Sequence, residues 1–190
     1  MKTTYTCITV LLAISLVLPG TSAGGAEIQG VYFKDSIVIE GTRLQIRGVA
    51  LFRFMRVIKA YVGALYVLEG IPSESVLTDT PKRLEIEYFH AIKAEDFGSA
   101  SNKVMAQNVS PEEFERLKSR LDKLNALYRD VQPGDRYSLS YVPGKGTELA
   151  LNGEMLGVIQ GADFASALYA MWLGKKPMNK SFKRQLLGSS

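Results

Sequence analysis

Four side chains in the first ten residues of the segment "FRFMRVIKAYVGALYV", residues 52–67, carry groups that could hold an anion. They are Arg53, Arg56, Lys59 and Tyr61, set into an otherwise apolar run. A guanidinium cannot shed its charge, so inside an apolar cleft it needs an anion or water. If residues 53–61 form one extended strand, Arg53, Met55, Val57, Lys59 and Tyr61 share a face, and Arg56 points away with Phe54 and Ile58. Arg53 and Tyr61 then look into the same space. A planar guanidinium fork beside a phenol suits a carboxylate or a developing oxyanion. A second reading is open: Glu85 or Glu87 on a neighbouring strand pairs with Arg53 across the sheet.

Other chemistries are sparse. The 190-residue chain has one cysteine, Cys7, and one histidine, His90. Two-histidine and cysteine metal sites are excluded, and no cofactor motif is present. His90, in "EYFHAI", reads as the solvated end of a strand.

The amino terminus reads as a secretory leader over residues 1–23. Lys2 precedes the apolar run Ile8–Leu18, Pro19 and Gly20 break it, and Thr21 and Ala23 fit a cleavage site. The run is too short to cross a bilayer, so no stable membrane span is expected after cleavage. The expected location is periplasmic or secreted, with residues 24–190 forming a single domain. The formal net charge of +4 falls by one, to +3, when Lys2 is removed. The remaining charges are interleaved, as in "EEFERLKSRLDK", which gives no sign of nucleic-acid binding.

The elements that must position these groups follow from pattern. "VYFKDSIVIEGTRLQIRG" reads as short strands broken at Lys34-Asp35 and Gly41. Residues 52–67 read as one strand, and "RLEIEYF" alternates Leu84, Ile86 and Tyr88 against Glu85 and Glu87. "AEDFGSASNKVMAQN" reads as a helix. Ser110, Pro111 and Glu113 start another, with an apolar stripe of Phe114, Leu117, Leu121, Leu124 and Tyr128. "RYSLSYV" and "ELAL" alternate, "NG" marks a hairpin, and "EMLGVIQG" returns. Asp163 is placed to cap "FASALYAMWL", which Gly174 closes, and "KSFKRQLLG" is a last short helix. The class is α+β, a large, mostly antiparallel sheet covered on one face by helices.

In this order, the motifs resemble the chalcone isomerase family, and within it the exported bacterial chalcone-isomerase-like proteins. The resemblance spans about Gly30 to Gly188. It is strongest in "QPGDRYSLSYVPGKGTELALNGEMLGVIQGADFASALYAMWLG", then in "KAYVGALY" and "SNKVMAQN". It implies a ligand cleft between sheet and helices. It also implies that Arg53, with Arg47 as the competitor, matches the family's anion-holding arginine. Lys59 matches a lysine of the same strand, and Tyr61 a tyrosine of the fatty-acid-binding branch. Lys103 matches a helix lysine, and Gln107 or Asn108 the amide after it. Two hydrogen-bond donors of the isomerases fall at Ala100 and Met171, where this chain has none.

The resulting expectation is a non-catalytic protein that binds a small apolar carboxylate, such as a fatty acid, at Arg53 and Tyr61. The alternative is an intramolecular lyase or isomerase acting on another substrate, with Arg53 and Tyr61 as its catalytic pair. Amino-terminal sequencing of the secreted protein is expected to give Gly24, or Glu27 from the second small-residue boundary at Ala26. An intact Lys2 in a membrane fraction would contradict cleavage.

Overall fold

The computed structural model describes residues 24–55 and 57–188. The leader read over residues 1–23, and the face assigned to Arg56, lie outside them. A short ribbon comes first, β1 (Gly25–Ile28) with β2 (Val31–Lys34). The main sheet follows: β3 (Ser36–Ile39), β4 (Thr42–Phe54), β5 (Ile58–Val67), β6 (Lys82–Tyr88), β7 (Arg136–Val142), β8 (Gly146–Leu151) and β9 (Glu154–Ile159). Its seven strands pair in chain order, each antiparallel to the next. Between β6 and β7 run α1 (Ala94–Asn108) and α2 (Pro111–Leu127). After β9 come α3 (Ala162–Leu173) and α4 (Lys180–Leu186).

Local chemistry places the joints. Gly41 and Gly153 take φ of 75° and 85°, and Asn152 takes 52°, as a two-residue hairpin turn requires. Ser110 caps α2, its Oγ accepting from the Glu113 N–H at 3.2 Å. Asp163 does not cap α3. Gly161 holds that position, and Asp163 sits in the first turn, where it binds both guanidinium nitrogens of Arg120. A salt bridge to a neighbouring helix outcompetes the cap.

The strand expected over residues 52–67 is two strands. β4 ends at Phe54 and β5 begins at Ile58, with Phe54 opposite Ile58 and Arg53 opposite Lys59. The turn lacks Gly, Pro, Asn and Asp, and Met55 takes φ of 49° to make it. A register shift lies between Phe52 and Arg53, so Phe52 stands opposite Tyr61. The parity argument joining Arg53 to Tyr61 therefore fails, because the chain reverses between them.

Burial divides the sheet. Leu65 and Val67 of β5, Leu84, Ile86 and Tyr88 of β6, and Tyr137, Leu139 and Tyr141 of β7 pack under the helices. Leu117, Leu121 and Leu124 of α2 meet them, as the stripe requires. Val62, Ala64 and Tyr66 face the other way, onto Val31 and Phe33 of the ribbon. Arg136 fixes that ribbon. It binds Glu85 and Glu87, donates to the Tyr32 carbonyl at 3.1 Å, and lies 4.5 Å from the Phe33 ring centroid. Glu85 and Glu87 thus pair with Arg136, and Arg83 also reaches Glu85. Neither pairs with Arg53.

α4 lies on β4 across Gly48. A Cβ there would come within 2.2 Å of the Gln185 carbonyl oxygen and 2.8 Å of that of Leu186. This close approach presses Phe182 onto Phe52 and Tyr61. Gly48→Ala is expected to cost about 1–3 kcal/mol as overpacking. Urea unfolding measures it, and an unchanged midpoint would contradict the docking.

Candidate functional site

Between the sheet and α1 and α3 lies a cavity of about 230 Å³. Tyr61, Leu84, Ile86, Tyr88, Tyr137 and Leu139 form its floor, each from the helix-facing side of its strand. Phe97, Ala100 and Ser101 of α1 and Met171 and Trp172 of α3 form the roof. The aromatic rings interlock. Tyr61 stacks on Phe52 at 4.5 Å and meets Tyr88 edge-on at 5.6 Å, its direct partner across β5 and β6. Phe97 lies 5.4 Å from Tyr88 and 5.2 Å from Tyr128.

Polar atoms are few, and they differ in whether they are satisfied. The Tyr137 hydroxyl donates to the Arg129 carbonyl at 3.0 Å and accepts from the Arg129 N–H at 2.7 Å. The Tyr128 and Ser101 hydroxyls share a bond of 3.3 Å. Tyr61 Oη and Trp172 Nε1 are buried, and among the described residues neither has a hydrogen-bond partner of acceptable geometry. Burial pushes the Tyr61 hydroxyl well above the ordinary tyrosine range, and the nearby Trp172 indole N–H opposes that rise. The two groups thus lie together without forming a good bond. Tyr88 is also raised by burial, then by its tyrosine neighbours. Tyr128 is pushed up to about 12 by burial, with Ser101 opposing.

The residues singled out in the sequence scatter around this cavity. Tyr61 lines it, and so do Ala100 and Met171, the two positions that lack the isomerase donors. Arg53 and Lys59 are exposed on the β4–β5 hairpin. Arg53 instead borders a shallow cleft with Leu51, Asn179, Ser181 and Gln185. Arg47 is occupied elsewhere, donating to the Leu187 and Ile71 carbonyls and to Ser73 Oγ. Lys103 and Gln107 face solvent from α1. Asn108 ties α1 to the loop after α3, donating to the Lys176 carbonyl at 2.8 Å and accepting its N–H at 3.0 Å. No cation lines the cavity among the described residues, and its one charged residue is the exposed Asp96.

Trp172, Tyr88, Phe97 and Tyr128 were not singled out from the sequence. Their only sequence signal is apolar periodicity, which marks core and cavity wall alike.

Two orphaned donors in an apolar wall cost stability that a ligand could return. Tyr61→Phe removes one orphan and keeps the ring, so the free protein is expected to be unchanged or about 1 kcal/mol more stable. Alkali gives a second measurement. The raised tyrosines keep their protons in the folded state, whereas the unfolded chain loses them above 10.0. Folding stability should then fall steadily above pH 10. Lys82 acts in the opposite sense at lower pH. Burial depresses its pKa from 10.5 to about 8, with Asp79 opposing, so its contribution rises as pH climbs through that window. Urea titrations from pH 8 to 12 should show the turnover, and stability still climbing above pH 11 would contradict it.

A sequence model described as chalcone isomerase-like matches residues 25–188. No curated protein sequence matches. Among solved structures, a fatty-acid binding protein of Arabidopsis thaliana superposes with a TM-score of 0.68 at 13% identity. The match covers 86% of this chain and 96% of that one. At that identity the likeness is one of fold. The chain belongs to the chalcone isomerase-like family.

Proposed function

We propose that the protein is exported and binds a small acyl compound, a fatty acid or its ester, without transforming it. The apolar chain fills the cavity, and its carbonyl oxygen accepts from Tyr61 Oη–H and Trp172 Nε1–H. The observation that carries this reading is the pair of buried donors without partners, side by side in an otherwise apolar wall. The likeness to a fatty-acid binding protein supports the ligand class. At about 230 Å³ the cavity falls below the roughly 300–1,000 Å³ usual for drug-sized ligands, so a short to medium chain fits best.

The head group should be neutral at its seat. Two uncharged donors do not offset the desolvation of a carboxylate, and Asp96 at the wall repels one. Catalysis is disfavoured by the same inventory. Ala100 and Met171 offer no donor, and the cavity holds no histidine.

Trp172 is the only tryptophan, so its fluorescence reports occupancy directly. Titration with octanoic acid and its methyl ester at pH 7 is expected to show the ester binding at least as tightly. Acid affinity should rise as pH falls toward 5. Tyr61→Phe should weaken both about three- to tenfold, the worth of one neutral hydrogen bond of roughly 0.5–1.5 kcal/mol. A tenfold preference for the acid that Arg53→Met abolishes would overturn this head-group placement and restore Arg53.

A further inference from the structure

The β4–β5 hairpin carries features that the cavity does not explain. Its ladder continues past the last β5–β6 pair, Tyr61 with Tyr88, so Arg53, Phe54, Ile58 and Lys59 stand beyond the rest of the sheet on that side. The tip exposes Phe54 at 53%, Met55 at 75%, Val57 at 73% and Ile58 at 46%. Four large apolar side chains are exposed around one turn, a concentration that soluble surfaces ordinarily avoid. The turn also adopts a left-handed φ of 49° at Met55, where Gly or Asn would be easier. A polar turn would relieve both costs at once.

The flanking charges point to the occupant. Arg53 and Lys59 lie directly opposite each other in the ladder, a like-charge pair that is unfavourable by itself. Both are exposed, and neither has an ion pair among the described residues. The cleft beside Arg53 is closed by Ser181 and Gln185 of α4. That helix exposes Lys180 and Arg184, and exposed Lys175 and Lys176 precede it. From Phe164 to the last residue the chain has no Asp or Glu. Exposed apolar side chains at a protruding tip, with Arg53 and Lys59 flanking them and Arg56 in the turn sequence, match the cross-section of an anionic bilayer surface, with acyl chains below and phosphates above.

We propose that the β4–β5 hairpin is a peripheral membrane anchor. Phe54, Met55, Val57 and Ile58 enter the acyl boundary, and Arg53, Lys59 and the α4 cations engage lipid phosphates. The anchor does not depend on what the cavity holds. A second copy is a poorer occupant, because tip-to-tip contact would bring Arg53 and Lys59 against their own equivalents. No helix of the described residues is long and apolar enough to cross a membrane.

Residues 24–188 contain both cores and every described element, so the test uses a form beginning at Gly24 beside the whole chain. The shorter form removes the apolar run at Ile8–Leu18 as another anchor. Co-sedimentation is measured, without ligand, on vesicles of phosphatidylcholine alone and with 30% phosphatidylglycerol. The Gly24 form is expected to bind the anionic vesicles at least tenfold more tightly, and 0.5 M salt should weaken that binding. The combined substitution Phe54→Ser, Val57→Ser and Ile58→Thr should reduce affinity at least tenfold. Arg53→Gln with Lys59→Gln should reduce it about thirtyfold, from about 1 kcal/mol for each cation at the surface.

Both substituted sets lie on exposed side chains, and unchanged thermal unfolding confirms that each variant is folded. As a second readout, Met55→Cys in the Gly24 form carries the only thiol, because Cys7 is gone. A polarity-sensitive dye there should shift to the blue on anionic vesicles. Three results would each overturn the proposal. They are binding by the whole chain alone, binding unaffected by the tip substitutions, and a lipid-free dimer that those substitutions dissolve.

Discussion

The fit of Phe182 over Tyr61 is the contact on which the site depends. It requires Gly48 to let α4 lie close on β4, and Gly63, where a Cβ would sit 2.9 Å from the Phe182 ring. With Phe52 stacked on it at 4.5 Å and Phe182 edge-on at 5.3 Å, the Tyr61 ring is packed in place and turned inward. Its hydroxyl is therefore held beside Trp172, within an apolar wall that offers it no acceptor. A looser α4 would let the ring rotate or admit water, and the orphaned donors would disappear.

The two faces of the sheet treat charge in opposite ways. Away from the helices, Arg136 gathers Glu85, Glu87, a backbone carbonyl and the Phe33 ring, so every charge at that centre has a partner. A partly buried guanidinium is tolerable there because its donors are used. Under the helices, among the described residues, no comparable network surrounds the cavity, and the hydrogen bonds there run between neutral groups. The carboxylates that could have held Arg53 inside are committed to Arg136. Arg53 is left in solvent, opposite Lys59.

The sheet was largely legible because its breaks carry their own chemistry. Gly41, Lys34-Asp35 and Asn152-Gly153 end strands for local reasons that need no tertiary knowledge. α2 was legible from Ser110, Pro111 and its leucine stripe. The β4–β5 turn was not, since "FMRV" contains no residue that prefers a turn, and the mostly apolar run continues through it. Missing that reversal misplaced Arg53, because strand parity has meaning only within one strand. Tyr61 was found for its residue type and its resemblance to a family position. Trp172 and Tyr88 were hidden, since a ring lining a cavity and a ring filling a core leave the same trace in sequence.

Tyr61 also joins the hairpin to the cavity wall. It is the last β5 residue paired with β6, so the ring that closes the cavity floor is the root from which the hairpin projects. Phe52 opposite it belongs to the hairpin's other strand, and the register shift falls immediately beyond this pair. A bulge at that point increases the local twist and lets the outer ladder turn independently of the sheet. Displacement of the tip would be transmitted first to the Phe52–Tyr61 stack, and through it to the hydroxyl beside Trp172. Among the described cavity-lining residues Tyr61 alone belongs to the β4–β5 hairpin, so this one pair is where hairpin and cavity wall meet.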